Sequence, residues 1–163
     1  MRPTVYLDTT IPSYYFETRE DPIVRAHQLI TVQWWEEHQG RFEFVTSQIA
    51  LDELASPAYP PEKRELALEL MNGFRLLELN EPVFEIAAEY AEQFVMPRKD
   101  LRDAVHLAVA CYYRVKYLAT WNCAHLANAH KRRHLEYVNT VLGGYTPLVL
   151  TPEEILVLEG DRS

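Results

Sequence analysis

The chain has 163 residues, of which 48% are apolar and 25% charged, with 16 basic and 24 acidic side chains and a net charge of −8. That length suits one compact domain spanning residues 1–163, and the apolar share is enough for a core, so an intrinsically disordered chain is excluded. The acidic balance argues against broad, charge-driven nucleic-acid binding, though not against a local basic patch.

The first element expected is a strand over Thr4–Leu7, ending at Asp8. The opening MRPTVYLD enters that strand at once and has no signal-peptide core. No apolar run nears ~18 residues, so no membrane span is expected. Cys111 and Cys123 fit neither a disulfide framework nor a zinc motif. A cytoplasmic location is expected.

Farther along, a helix is expected over Pro22–His38, capped by Asp21, then a strand over Phe42–Thr46 and a helix over Gln48–Ala55. Glu62–Asn72 reads as helix, Arg75–Leu79 as strand and Val83–Val95 as helix, the last from Phe84, Ala87, Ala88, Ala91 and Val95 at helical spacing. Leu101–Val115 reads as a helix capped by Asp100. Tyr117–Thr120 reads as strand, and a helical stretch lies within Ala124–Leu142, ending at Gly143-Gly144. Leu148–Leu150 is the last strand. Thr151, Pro152 and Glu154 carry the signature of a capping box that opens a final helix. Strands alternating with helices imply an α/β fold, a three-layer α/β/α sandwich around a mostly parallel five-stranded sheet.

Four residues stand out as candidates for chemistry. Asp8 ends an apolar strand, at the carboxyl edge where such sheets bind ligands. It also fits a plain turn cap, and Thr9 beside it could cap the Ile11–Phe16 turn. Glu53 shares its helical face with Ile49 and Ala50 while Asp52 shares the other with Gln48, so Glu53 points inward. Asp103 lies in a first helical turn, where the helix dipole favours a carboxylate, and His106 one turn on is within its reach. Asn122 follows a strand and is placed to cap the helix after it. Converging acids repel unless a cation sits among them, so the economical reading is a divalent-metal site. His130 and His134 are spaced for a transition metal, but Arg132 and Arg133 between them make a solvated face the plainer reading. Trp34-Trp35 and Tyr14-Tyr15-Phe16 read as core plus a partner surface for dimerisation or inhibitor docking, and a homodimer is expected.

The stretches VYLDTTIPSYY, SQIALDELASP, PRKDLRDAVHLAVA and YLATWNCAHLANA resemble a PIN domain, and more narrowly its VapC-like toxin branch. The resemblance runs over roughly residues 3–150. Its most specific parts are the block of Asp103, His106, Leu107 and Ala108 and the block of Thr120, Trp121 and Asn122. It implies an endoribonuclease that uses Mg²⁺ or Mn²⁺ to hydrolyse RNA, with an antitoxin protein as partner. On the matched positions Asp8, Glu53 and Asp103 are the metal-holding acids. Asn122 stands where many members have Asp, which removes one negative charge. Basic groups at the rim would hold flanking phosphates. Arg98, Lys99 and Arg102 are the first choice, and Lys131–Arg133 the second.

Two other readings remain open. A phosphotransferase with Asp8 as nucleophile, of the haloacid-dehalogenase-like type, wants a second Asp where Thr10 stands. A receiver-type one wants a Lys that Thr146-Pro147-Leu148 does not offer. A PIN fold without catalysis, serving as an RNA-binding or regulatory module, is compatible with Asn122 and the acidic balance.

Overall fold

A computed structural model of the chain describes residues 1–93, 95 and 101–160. Five strands form one sheet: β1 (Thr4–Leu7), β2 (Glu43–Ser47), β3 (Arg75–Leu77), β4 (Tyr117–Ala119) and β5 (Leu148–Leu150). They lie in the order β3-β2-β1-β4-β5, and all four pairings are parallel. The expected α/β/α sandwich is therefore present, with a sheet that is wholly parallel among the described residues.

Strand alternation sorts the core into two layers. Tyr6, Val45, Leu118 and Val149 face α5 (Glu81–Glu92), α6 (Arg102–Tyr112) and α7 (Ala129–Leu142). Val5, Leu7, Phe44, Tyr117 and Leu150 face the other way. There they meet α1 (Thr10–Tyr15), α2 (Pro22–His38), α3 (Gln48–Leu54), α4 (Pro61–Asn72) and α8 (Pro152–Gly160). Trp34 and Trp35 are buried in this second layer, against Phe42, Phe44 and Phe74. This corrects their expected share in a partner surface: tilted and edge-on contacts with Phe42, Phe44 and Phe74 occupy both indoles.

Local signals explain most element ends. Asp21 accepts the amides of Ile23 and Val24 and caps α2 as expected. Thr151 and Glu154 exchange the two bonds of a capping box at α8. Helix α5 starts two residues before its expected position because Asn80 caps it by accepting the Val83 amide, and it ends at Glu92. Helix α6 runs Arg102–Tyr112 with Leu101 at its N-cap, and Asp100, the expected cap, lies outside the described residues. Helix α7 starts at Ala129, five residues later than the expected helical stretch opens. Asn122 and Asn128 divide that segment between them: Asn122 closes a turn, and Asn128 caps the helix through His130 and Lys131.

From β1 the chain builds outward through β2 to β3, then crosses to the opposite side of β1 to lay down β4 and β5. The order reverses between β1 and β4. At such a switch point two loops part at the carboxyl ends of neighbouring strands and leave a crevice. Asp8 follows β1 and Asn122 follows β4.

Candidate metal centre

Asp8 is the most buried of the four candidates, at 3% exposure. Its Oδ1 accepts the Thr10 amide at 3.0 Å and the Thr10 hydroxyl at 2.5 Å, and its Oδ2 accepts the Thr120 hydroxyl. These partners are neutral. Burial therefore dominates and pushes the Asp8 carboxyl up to about 6, against the opposing pull of His106 and the two threonines. Asp8 itself provides the turn into α1. Thr9 does not cap that helix, and its hydroxyl is buried without a partner.

Glu53 lies on the inward side of α3 with 19% of its side chain exposed, while Asp52 is exposed and accepts from Gln48 at 2.9 Å. The expected division of the helix is thus present. Glu53 Oε1 accepts from His106 Nε2 at 2.6 Å. His106 Nδ1 lies 2.6 Å from the Tyr6 hydroxyl, which lies 2.7 Å from the Ser47 hydroxyl. Because a carboxylate only accepts, Nε2 carries a proton, and the Tyr6 hydroxyl turns to suit Nδ1. Burial acts to lower the His106 pKa. The Glu53 hydrogen bond and charge, with Asp8 and Asp103 behind them, outweigh it and raise it. His106 is thus a fully engaged core residue and also the link between the inner sheet and Glu53.

Asp103 sits in the first turn of α6, and its Oδ2 accepts from Asn122 Nδ2 at 3.1 Å. Asn122 Oδ1 accepts the His125 amide, and its backbone carbonyl accepts Leu126 and Ala127. Asn122 therefore caps the 123–127 turn and not α7, a correction to its expected place. The three residues after β4 divide the work. Thr120 holds Asp8. Trp121 donates its amide N–H to the Thr10 hydroxyl oxygen and its ring N–H to Thr31, and stacks on His27 at 4.1 Å. Asn122 holds Asp103.

The sequence put Asp8 and Asn122 at the carboxyl edge of the sheet; hydrogen bonds through Thr120 join Asp8, Asn122 and Asp103, and Glu53 belongs to a second set through His106. The structure does not draw the acids into one tight group. Among the described residues, no three His, Cys, Asp or Glu side chains stand together as a ready metal cluster. Glu53 is engaged by His106 and Asp103 by Asn122. The donor set still suits a hard cation: it is all oxygen, and the buried Asp8 carboxylate has only hydroxyl and amide partners, so a cation there would relieve its desolvation.

Sequence reasoning passed over Thr10, Thr120 and Tyr6. Tyr6 was detectable, since a tyrosine on an inward strand position must find a partner for its hydroxyl. Among the basic candidates, Arg98 and Lys99 lie outside the described residues. Lys131 donates to the Val95 carbonyl and Arg132 is bidentate to Glu154, so that run is largely committed within the fold. His134 bonds the Gln93 carbonyl.

A search among curated proteins finds no match to the chain. Among solved structures, the fold is similar to a chain in the crystal structure of VapBC2 from Rickettsia felis bound to a DNA fragment from their promoter. The TM-score is 0.58 and the identity 14%, over 91% of this chain and 98% of that one. The family model for the PIN domain matches residues 5–122, from the start of β1 to the asparagine after β4. That span holds all four candidate residues, and the chain belongs to the PIN domain family.

Proposed function

We propose that the chain is a metal-dependent endoribonuclease, the toxin of a toxin–antitoxin pair, with Asp8, Glu53 and Asp103 holding Mg²⁺ or Mn²⁺. The observation that carries this reading is the buried Asp8 carboxylate at the β1/β4 switch point, with Glu53 held by His106 and Asp103 bonded to Asn122, the residue after β4. When bound, the cation would activate a water for in-line attack and screen charge on the phosphate. The protein's own work is positioning. Thr10 and Thr120 fix Asp8, the Ser47–Tyr6–His106 chain fixes Glu53, and Asn122 fixes Asp103.

The test compares cleavage of single-stranded RNA with Mg²⁺ or Mn²⁺ and with a chelator, for wild type and Asp8→Asn. Activity should need the metal and vanish in the variant. Calorimetry should show weaker Mn²⁺ binding when Asp8, Glu53 or Asp103 is changed to Ala, and unchanged affinity in all three would overturn the shared site. The second reading is a PIN fold that binds RNA without cutting it. It is favoured by Asn122, which brings no charge and spends its amide on Asp103. RNA binding with no cleavage under any divalent cation would establish it. A co-purifying antitoxin chain and a homodimer are expected under the first reading, and sedimentation checks both.

A further inference from the structure

Beyond the carboxylates lies a cavity of about 480 Å³ between α1 and the start of α4. Its walls are direct continuations of two site residues. Ser13 and Tyr14 follow Asp8 along α1, and Tyr59 follows Glu53 past the end of α3. At ~1.5 Å of rise per helical residue, Ser13 stands within roughly 10 Å of Asp8 along the chain.

The floor is a buried ion cluster. Glu17 has 3% of its side chain exposed, and one oxygen, Oε2, accepts both Lys63 Nζ at 2.8 Å and Arg19 Nη2 at 2.9 Å. Lys63 is itself buried, and its ammonium lies 5.3 Å from the centre of the Tyr59 ring. Two cations thus share one carboxylate, leaving an excess positive charge in a chain of net −8. That excess is presented by Arg19, whose side chain is 65% exposed and gives Glu17 one of its five N–H donors. The distances link the ring to the guanidinium through Lys63 and a single oxygen. A half-buried aromatic ring and an anchored, exposed guanidinium lining one cavity suit a base and its adjoining phosphate.

We propose that this cavity is a nucleotide subsite, in which Tyr59 stacks a base of single-stranded RNA and Arg19 binds the neighbouring phosphate. The proposal rests on the ribonuclease reading for the identity of its ligand and moves the RNA path to α1 and α4. The experiment measures binding of a fluorescent single-stranded RNA to the full chain in chelator, across a salt series, so that no cleavage intervenes. Arg19→Gln should weaken binding and reduce the salt slope by about 0.7, one phosphate contact. Tyr59→Ala should weaken it about five-fold or more, and Tyr59→Phe should restore it. Mn²⁺ affinity should stay at the wild-type value in all three. Arg75→Gln, a change at the far edge of the sheet, serves as the charge control. Wild-type binding by both Arg19→Gln and Tyr59→Ala overturns the subsite even if the enzyme cuts RNA. The expected losses without cleavage by the wild type uphold the subsite and reject the ribonuclease. Loss of a co-purifying protein with RNA binding intact reassigns the cavity to a protein partner and also overturns the proposal.

Discussion

Asp8 and Glu17 are both buried acids, and their surroundings give them opposite pH signatures. Asp8 has neutral partners and a pKa of about 6, so the folded chain holds a proton between pH ~4 and ~6 that the unfolded chain has released. Its contribution to stability is full below that window and lost as pH rises through it, by about 3 kcal/mol. Asp8→Asn should therefore raise the metal-free melting temperature at pH 7.5 and leave it unchanged near pH 4. Glu17 meets Arg19 and Lys63, which hold its carboxyl far below the usual range against the cost of burial. Its contribution is present above pH ~4.3 and lost as pH falls. Glu17→Gln should destabilise at pH 7.5, and that deficit should close on acidification. Thermal scans of both variants in chelator at the two pH values check the pair. Asn122 supplies a third test. Asn122→Asp keeps the turn cap and adds a charge, so Mn²⁺ should bind more tightly. Asn122→Ala should cost about 1 kcal/mol of cap together with activity. If both bind Mn²⁺ and cut RNA like wild type, the asparagine is only a cap.

The elements act on the site through buried bonds of long sequence separation. Tyr6→Phe removes the hydroxyl between Ser47 and His106 and leaves two buried polar atoms unpaired, at a cost of about 1–3 kcal/mol. Urea unfolding measures that cost, and a loss below about 0.5 kcal/mol would mean that the chain from β2 to Glu53 bears little. Such links mark the limit of what the sequence revealed. Helical period separated Glu53 from Asp52, and the apolar run Val5-Tyr6-Leu7 marked β1, because both depend on local sequence alone. The strands came out within about two residues of their expected ends. What stayed hidden was set by partners distant in the chain. His106 read only as a neighbour of Asp103 because neither Tyr6 nor Glu53 is near it in sequence. The aromatic pair Trp34-Trp35 read as core with a share in a partner surface because Phe44 and Phe74, which cover it, are distant in sequence. Asn122 read as a helix cap because nothing local distinguishes a capped turn from a capped helix.

For the molecule as a whole, a charge of −8 limits how RNA can be held. Few phosphates can be neutralised, so log affinity should fall with log salt at a slope no steeper than about −2, given about −0.7 per contact on single strands. A binding series between low and physiological salt measures it, and a steep slope would imply a basic face still unaccounted for. The order of the strands has a further consequence, in time. Asp8 is complete in its surroundings only when Thr120 reaches it across 112 positions of chain, and Glu53 waits for His106 across 53. At synthesis rates of about 5–20 residues per second, about 6–20 s separate translation of the first acid from that of the threonine that seats it. Throughout that interval the emerging polypeptide carries Asp8, then Glu53 and last Asp103, but no assembled centre. On the toxin reading proposed above, that delay, written into the topology, separates the start of synthesis from the need to restrain the product.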